Sequence, residues 1–339
     1  MIEKAIKKLI LNKNLSFKEM YTVANEILEG KTSDVQIASF ITSLTMKGET
    51  PTEITALVKT MREKAIKINV RDKKREFIAD TCGTGGDKLS TFNVSTCTAF
   101  VVASGGIKVA KHGNRSVSSK CGSADILEAL GVNIRLPPQK TAECIKKIGI
   151  GFLFAPLYHL CMKYVQAVRR ELGFRSIFNI AGPLSNPALA NIQIIGVYDR
   201  ALIDIIVKVL KNIGVKRAFV VWSEPGVDEI FLSKRIYVGF LDGKKIKKMV
   251  LEPRDFGKKK IKIKDIQVNS LEESKRVFLD VLKAKRIPQR DVVEVNAGAC
   301  LFLAKKAKSL KEGVKLASDL IDSKKPLEIL NRFIEFSQR

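Results

Sequence analysis

From Phe77 onward the chain alternates short apolar runs with longer helix-patterned segments, and this alternation restricts its fold more than any other feature. Strands joined by helices form βαβ units, whose strands run parallel and need helices to cover them. Candidate strands are residues 77–80, 107–110, 151–154, 192–197 and 217–222, with helices between them over 139–148 and 201–213. The first 68 residues lack this pattern and read as helices. Ser16 caps a helix from Phe17 to Leu28 closed by Gly30, Ser33-Asp34 start another, and Thr52-Glu53 open a third through Lys64. At 339 residues the chain exceeds the roughly 250–300 at which a single core stops growing. The expected class is therefore α/β: a small all-helical domain over 1–68, then an α/β domain over 72–339 with a mainly parallel central sheet flanked by helices. The chain from 270 onward reads as helical with a lysine-rich face.

Within this frame, Asp80 to Gly131 concentrates residue types that handle phosphate. Gly83, Gly85 and Gly86 follow the run Phe77-Ile78-Ala79, so a strand ends in a sharp turn whose backbone N–H groups can face an anion. Asn93-Val94-Ser95-Thr96 leads into an apolar helix from Cys97 to Ser104, closed by Gly105-Gly106. This places Asn93 or Ser95 at a helix N-terminus that favours phosphate. A second strand, Ile107 to Ala110, ends in Lys111-His112-Gly113-Asn114-Arg115, and Ser116, Ser118, Ser119 and Ser123 supply hydroxyls before a helix from Ala124 to Leu130. Each signal alone has a plainer reading: a tight connection, a solvated charge or an ordinary cap. Together they describe two anion loops at the carboxyl ends of parallel strands, a site for a phosphorylated sugar.

Composition narrows the alternatives. No apolar run approaches the ~20 residues that span a bilayer, and the N-terminus mixes Lys with Ile and Leu instead of building a signal-peptide core, so the cytoplasm is the expected compartment and no membrane partner is implied. Six cysteines, at 82, 97, 121, 144, 161 and 300, form no CxxC pair. Cys97 and Cys300 read as small core hydrophobes, whereas Cys82 and Cys121, inside the phosphate motifs, read as accessible thiols in an electropositive setting. The formal charge of +25 admits nucleic acid as a partner. Yet the lysines from Lys244 to Lys264 alternate with Ile261 and Ile263 and carry no aromatic platform, the pattern of a protected strand edge. An anionic substrate is drawn by this field in either case.

The ordered set GTGGD (83–87), NVST (93–96), KHGNR (111–115) and Ser123-Ala124-Asp125 resembles the anthranilate phosphoribosyltransferase family of tryptophan biosynthesis. The resemblance continues through DVQIA (34–38), MKGET (46–50), RRELG (169–173), Gly182-Pro183-Leu184, PGVDE (225–229), NAGA (296–299) and SLKEG (309–313). It implies a nucleoside phosphorylase type II-like phosphoribosyltransferase fold, in which a mid-chain helical piece, about 160–187 with Pro183 and Pro187 as breakers, returns to the small helical domain. A pyrimidine nucleoside phosphorylase shares that architecture, but its phosphate-loop wording differs. Cys121 departs from the pattern, where serine is more usual.

The resemblance also implies the chemistry: transfer of the phosphoribosyl group of 5-phosphoribosyl 1-diphosphate (PRPP) to the amine of anthranilate, with pyrophosphate leaving. Matches to the family's PRPP contacts are Gly83, Gly86, Asp87, Thr91, Asn93, Val94, Ser95, Thr96, the whole loop Lys111, His112, Gly113, Asn114, Arg115, Ser116, Val117, Ser118 and Ser119, and Ser123. Gly83, Asn114 and Arg169 match the anthranilate side, with Arg169 otherwise an exposed residue near a helix end. Ser95, Asp228 and Glu229 match the Mg²⁺ ligands; on local pattern alone Asp228-Glu229 is a turn before a strand from Ile230 to Leu232. No protein nucleophile is required, and the two histidines offer no hydrolase pattern: His112 shapes its loop, and His159 lines the aromatic pocket or caps the helix after Pro156. A homodimer through the helical domain is implied by the resemblance only.

Overall fold

The structure is a computed structural model that describes every residue except 74–75, 87–88 and 116–120. It opens with four helices, α1 (Ile2–Ile10), α2 (Phe17–Leu28), α3 (Asp34–Lys47) and α4 (Pro51–Lys64). Reciprocal capping boxes start the last three: Ser16 with Glu19, Ser33 with Gln36, and Thr50 with Glu53. The α4 cap is thus Thr50, two residues before the expected start, because Pro51 fits the first helical position. Glu53 is wholly buried and also accepts from Leu15 N (2.8 Å) and Lys47 Nζ (2.8 Å), so one carboxylate ties the α1–α2 connection and the end of α3 to the start of α4.

The α/β part follows in the order β1 (Ile78–Asp80), α5 (Val94–Ser104), β2 (Lys108–Gly113), α6 (Ser123–Ala129), α7 (Pro138–Ile148), β3 (Ile150–Phe154), the short α8 (Ala155–Tyr158), α9 (Lys163–Leu172), α10 (Ile177–Leu184), β4 (Ile192–Gly196), α11 (Leu202–Asn212), β5 (Arg217–Ser223), β6 (Ile236–Asp242) and β7 (Lys245–Leu251). Four helices end the chain: α12 (Leu271–Leu282), α13 (Pro288–Leu303), α14 (Leu310–Asp322) and α15 (Lys325–Ser337). The sheet order is β3-β2-β1-β4-β5-β6-β7, parallel from β3 to β5, with β6 and β7 antiparallel. The lysine-rich run beyond Lys244 is in part an edge strand, joined to β6 by a two-residue turn with Asp242 facing Lys245.

Three expectations need correction here. Lys111, His112 and Gly113 belong to β2 instead of a loop after it, because they pair with Phe152, Leu153 and Phe154 of β3. Pro183 lies inside α10, near its end, where little of the helix remains to be disrupted. Ile230–Leu232 is not a strand but an irregular, fully buried stretch.

The sheet separates two hydrophobic cores. Along β5, Phe219 and Val221 point into the core built with α5, α6 and α12 to α15, while Ala218 and Val220 point into the other. That second core is shared by α1 to α4, α9, α10 and α11, so the N-terminal helices bury their apolar stripes with the sheet's covering helix and not only with one another. The mid-chain piece does pack back: α9 lies on α2 and α3, and α10 on α3 and α4.

Candidate active site

The strand order reverses at β1, whose neighbours β2 and β4 are reached in opposite directions; ligands in open α/β sheets bind outside the carboxyl ends of strands at such a point. The glycine loop leaves β1 there and is fastened to the end of β4. Thr84 N donates to Gly196 O (2.9 Å), and Tyr198 N donates to Thr84 Oγ1 (3.2 Å). A Cβ on Gly83 would lie 3.1 Å from the Gly196 carbonyl, and one on Gly196 would overlap the carbonyl of Asp228. Three backbones therefore stack in contact, and the bare glycines set the Asp228-Glu229 loop against the phosphate-type loop. From below, Ser223 Oγ donates to Glu229 O (2.6 Å) and accepts from Phe231 N (3.0 Å), while Asn296 brackets Ile230 by accepting from its N–H (3.2 Å) and donating to its carbonyl (2.9 Å). Side chains satisfy the buried backbone that a ladder would otherwise pair, which is why Ile230–Leu232 can be buried without being a strand.

Beneath the loops lies a buried polar centre. Asp80, fully buried at the end of β1, accepts from His112 N (3.2 Å) and from Asn186 Nδ2 (2.7 Å), which also donates to Ala110 O (2.8 Å). Burial pushes the Asp80 carboxyl up to about 6, opposed by the Lys111 charge and these hydrogen bonds. Lys111 is itself buried and donates to Thr81 O (3.2 Å) and Ser95 Oγ (3.3 Å). Arg62 reaches in from α4, donating to Leu184 O (2.8 Å) and Ile213 O (3.3 Å); burial lowers its guanidinium to about 10 against the pull of Asp80. The rings of His112 and His159 meet at a tilt of 55° with centroids 5.2 Å apart, and neither has a well-aligned hydrogen-bond partner among the described residues. Burial, then His159 and Lys111, hold His112 well below 6.5; burial holds His159 at about 4, with backbone near Gly182 and Ser185 tempering the two shifts. Both imidazoles are neutral at neutral pH and form a buried, uncharged pair.

Val94, Ser95 and Thr96 form the first turn of α5, which begins earlier than the apolar run suggests. Ser95 Oγ faces Lys111, and the Thr96 hydroxyl is buried with no hydrogen-bond partner among the described residues. The Asn93 side chain does not cap α5: it donates to Cys121 O (3.2 Å) and accepts from Ser274 Oγ (2.9 Å) and Cys121 Sγ (3.0 Å), tying the second loop to α12. Thr91 bridges Gln267. Asn114 is exposed and accepts from Arg115 N (2.8 Å); Arg115 pairs with Asp125 (3.0 Å) and Glu128 (2.5 Å), and Ser123 opens α6. Asp87, Ser116, Val117, Ser118 and Ser119 lie outside the described residues. Arg169, in the last turn of α9, is half-buried, not exposed; its guanidinium lies 5.5 Å from the Phe178 ring and its Nε is buried without a partner. Burial lowers its pKa.

The two thiols in the motifs are held in the protonated form, although Cys82 is only partly buried. Burial first, then Asp80, Glu229 and Asp228 against Lys111, push Cys82 up to about 12, and burial pushes Cys121 up to about 11. The Cys82 shift also places both acidic residues within electrostatic reach of the glycine loop. Ser95, Asp228 and Glu229 are hard oxygen donors suited to Mg²⁺, and among the described residues no three of His, Cys, Asp and Glu group as a cage. Such a set fits an ion that completes its octahedron with water and phosphate oxygens. Asp80, Asn186, Arg62 and Arg175 were not singled out from sequence. Only Asp80 carries a local signal, a carboxylate ending an apolar strand just before the glycines.

A family model described as the glycosyl transferase family helical bundle domain matches residues 3–65, and one described as the glycosyl transferase family a/b domain matches residues 75–326. An anthranilate phosphoribosyltransferase of Persephonella marina is 48% identical over 339 residues, covering 100% of this chain and 99% of that protein, and one of Aquifex aeolicus is 45% identical with the same coverage. The crystal structure of anthranilate phosphoribosyltransferase from Thermus thermophilus aligns at a TM-score of 0.93 and 38% identity, covering 99% of both chains. The Saccharomyces cerevisiae enzyme in complex with PRPP and Mg aligns at 0.89 and 26% identity, covering 99% of this chain and 98% of that one. With full-length similarity in sequence and fold, and the glycine loop set at the sheet's switch point, the chain belongs to the anthranilate phosphoribosyltransferase family.

Proposed function

We propose that this protein transfers the phosphoribosyl group of PRPP to the amine of anthranilate, giving N-(5-phosphoribosyl)anthranilate and pyrophosphate in tryptophan biosynthesis. The observation that carries this reading is the glycine loop at the switch point with Lys111 and Ser95 beneath it and the Asp228-Glu229 loop stacked against it. In the reaction the bond from the anomeric carbon to the pyrophosphate oxygen breaks, the anthranilate nitrogen bonds to that carbon, and the amine loses a proton. The sugar carries positive charge as the leaving group departs, so catalysis rests on placing the nucleophile and stabilising the anion. Backbone N–H groups of Gly83 and Gly86 and the α5 N-terminus with Ser95 and Thr96 take the phosphates, and Lys111 supplies a buried positive charge. Arg169 takes the anthranilate carboxylate, Asn114 holds the amine, and the neutral His112–His159 pair faces the ring. Ser95, Asp228 and Glu229 would hold Mg²⁺, which would supply positive charge to the diphosphate.

The test follows anthranilate fluorescence with PRPP and Mg²⁺, in parallel with pyrophosphate release. Magnesium-dependent turnover, weakened for anthranilate in Arg169→Ala and abolished in Asp228→Ala/Glu229→Ala, is expected; a protein that binds PRPP but releases no pyrophosphate would overturn the reading. No helix among the described residues is long and apolar enough to cross a membrane, and the cytoplasm is the proposed compartment. Homodimerisation through the helical part is supported by Ile10 and Leu11 at the end of α1 and Val35 and Met46 on the adjacent α3, which are 65% to 84% exposed. Light scattering of the purified protein checks it.

A further inference from the structure

The mid-chain helical piece touches the glycine loop through Arg175, which lies between α9 and α10. Its Nη2 donates to the carbonyl of Gly86, and its guanidinium stacks on Tyr198, 4.2 Å from the ring centroid. Tyr198 is in turn fastened to the same loop, its N–H donating to Thr84 Oγ1 (3.2 Å). Gly86 has φ +86, and a Cβ built on it would run into the Arg175 guanidinium, so the glycine at this position both adopts the left-handed turn and leaves room for the arginine. The hydrogen bond fastens the carbonyl at the end of the turn from Gly83 to Gly86. The guanidinium's planar fork, clamped by an aromatic face, fixes that carbonyl better than a mobile ammonium would.

We propose that Arg175 is a positioning residue for PRPP: without belonging to the phosphate-binding set, it holds the glycine loop in the conformation that presents backbone N–H groups to the diphosphate, and so couples the α9–α10 piece to substrate binding. The inference rests on the reading of this loop as the PRPP site. It is separate from the role given to Arg169, which sits on Phe178 and faces the other substrate.

The experiment measures steady-state kinetics and, independently, calorimetric PRPP binding for the parent, Arg175→Ala and Arg175→Lys, with and without millimolar guanidinium ion. Loss of one charged hydrogen bond and its stacking predicts a PRPP KM and Kd raised ~10- to 100-fold in Arg175→Ala. The KM for anthranilate should stay within about twofold and kcat should fall far less than PRPP affinity. Guanidinium should restore part of the PRPP affinity, and lysine should be intermediate. Unchanged PRPP affinity in Arg175→Ala, or a loss that guanidinium does not relieve and that affects both substrates alike, overturns the proposal. If the parent binds PRPP without turnover, the proposed reaction fails while the binding comparison still decides on Arg175; if the parent binds no PRPP, both fall.

Discussion

Gly196→Ala tests whether position, and not only charge, governs the acidic loop. The new Cβ would overlap the Asp228 carbonyl and lie 3.1 Å from its Cα, where carbon atoms prefer about 3.5–4.0 Å. Gly196 is a strand residue with backbone bonds to β5, and its carbonyl also accepts from Thr84, so the strand is the less compliant partner. Relief therefore requires the Asp228 segment to retreat by roughly 1–2 Å, beyond a normal contact distance. Overpacking of this kind costs about 1–3 kcal/mol of stability. For activity the larger effect is displacement: an error near 1 Å in a positioning group can cost ~100-fold. We expect kcat/KM to fall about that much while the protein stays folded, with more Mg²⁺ needed for half-maximal rate because both carboxylates remain but sit too far back. Coupled pyrophosphate release across a Mg²⁺ titration, with circular dichroism as the folding control, measures both. A variant with kcat/KM within threefold of the parent and an unshifted Mg²⁺ titration would refute the idea that the Gly83–Gly196–Asp228 backbone stack sets the site.

Two further predictions concern the buried centre. Lys111→Met should abolish PRPP binding and, by removing a charge that offsets the burial of Asp80, push the Asp80 carboxyl further up and lower stability; adding Asp80→Asn should recover stability but not activity, and urea unfolding beside kinetics separates the two. His159 is held at about 4 against 6.5 for a free imidazole, so between those values the unfolded chain binds the proton and the folded chain does not. Its contribution is fully present above 6.5 and is lost as pH falls towards 4, amounting to roughly 3 kcal/mol, and His112 acts in the same sense. Asp80, raised from 3.8 to about 6, opposes them, since its stabilisation is present below 3.8 and lost as pH rises through 6. Urea midpoints should drop between about pH 7 and about pH 5, and His159→Phe should flatten the drop; an identical drop in the variant would contradict the burial argument.

The alternating pattern after Phe77 was enough to read the parallel strands, since strands buried on both faces appear as uniform apolar runs. The β6–β7 hairpin was harder to read. Lysines obscure the alternation in Lys245–Leu251, and the one local signal is the Asp242-Gly243 pair at its turn. The Ile230–Leu232 run was misread because apolar runs mark burial, whereas a strand needs a free ladder; here Ser223 and Asn296 had taken the backbone partners. Residues carried by consecutive motifs could be read as one candidate set. Asn186, Arg62 and Arg175 were not, because each acts on a loop far away in the chain and no periodicity encodes such a meeting. The thiols of Cys82 and Cys121 misled for a related reason: the basic residues nearby in sequence suggested a positive field, but desolvation dominates at both.

The core shared across the sheet has a consequence for synthesis. Helices α1 to α4 leave the ribosome first, yet the apolar faces they need belong to α9, α10 and α11, and α11 begins at Leu202 whereas α4 ends at Lys64. At about 5–20 residues per second the nascent helices wait ~7–30 s for their last partner. The side of α4 that meets α10 and α11 lacks its cover for that interval. The oldest part of the chain is thus among the last to complete its core.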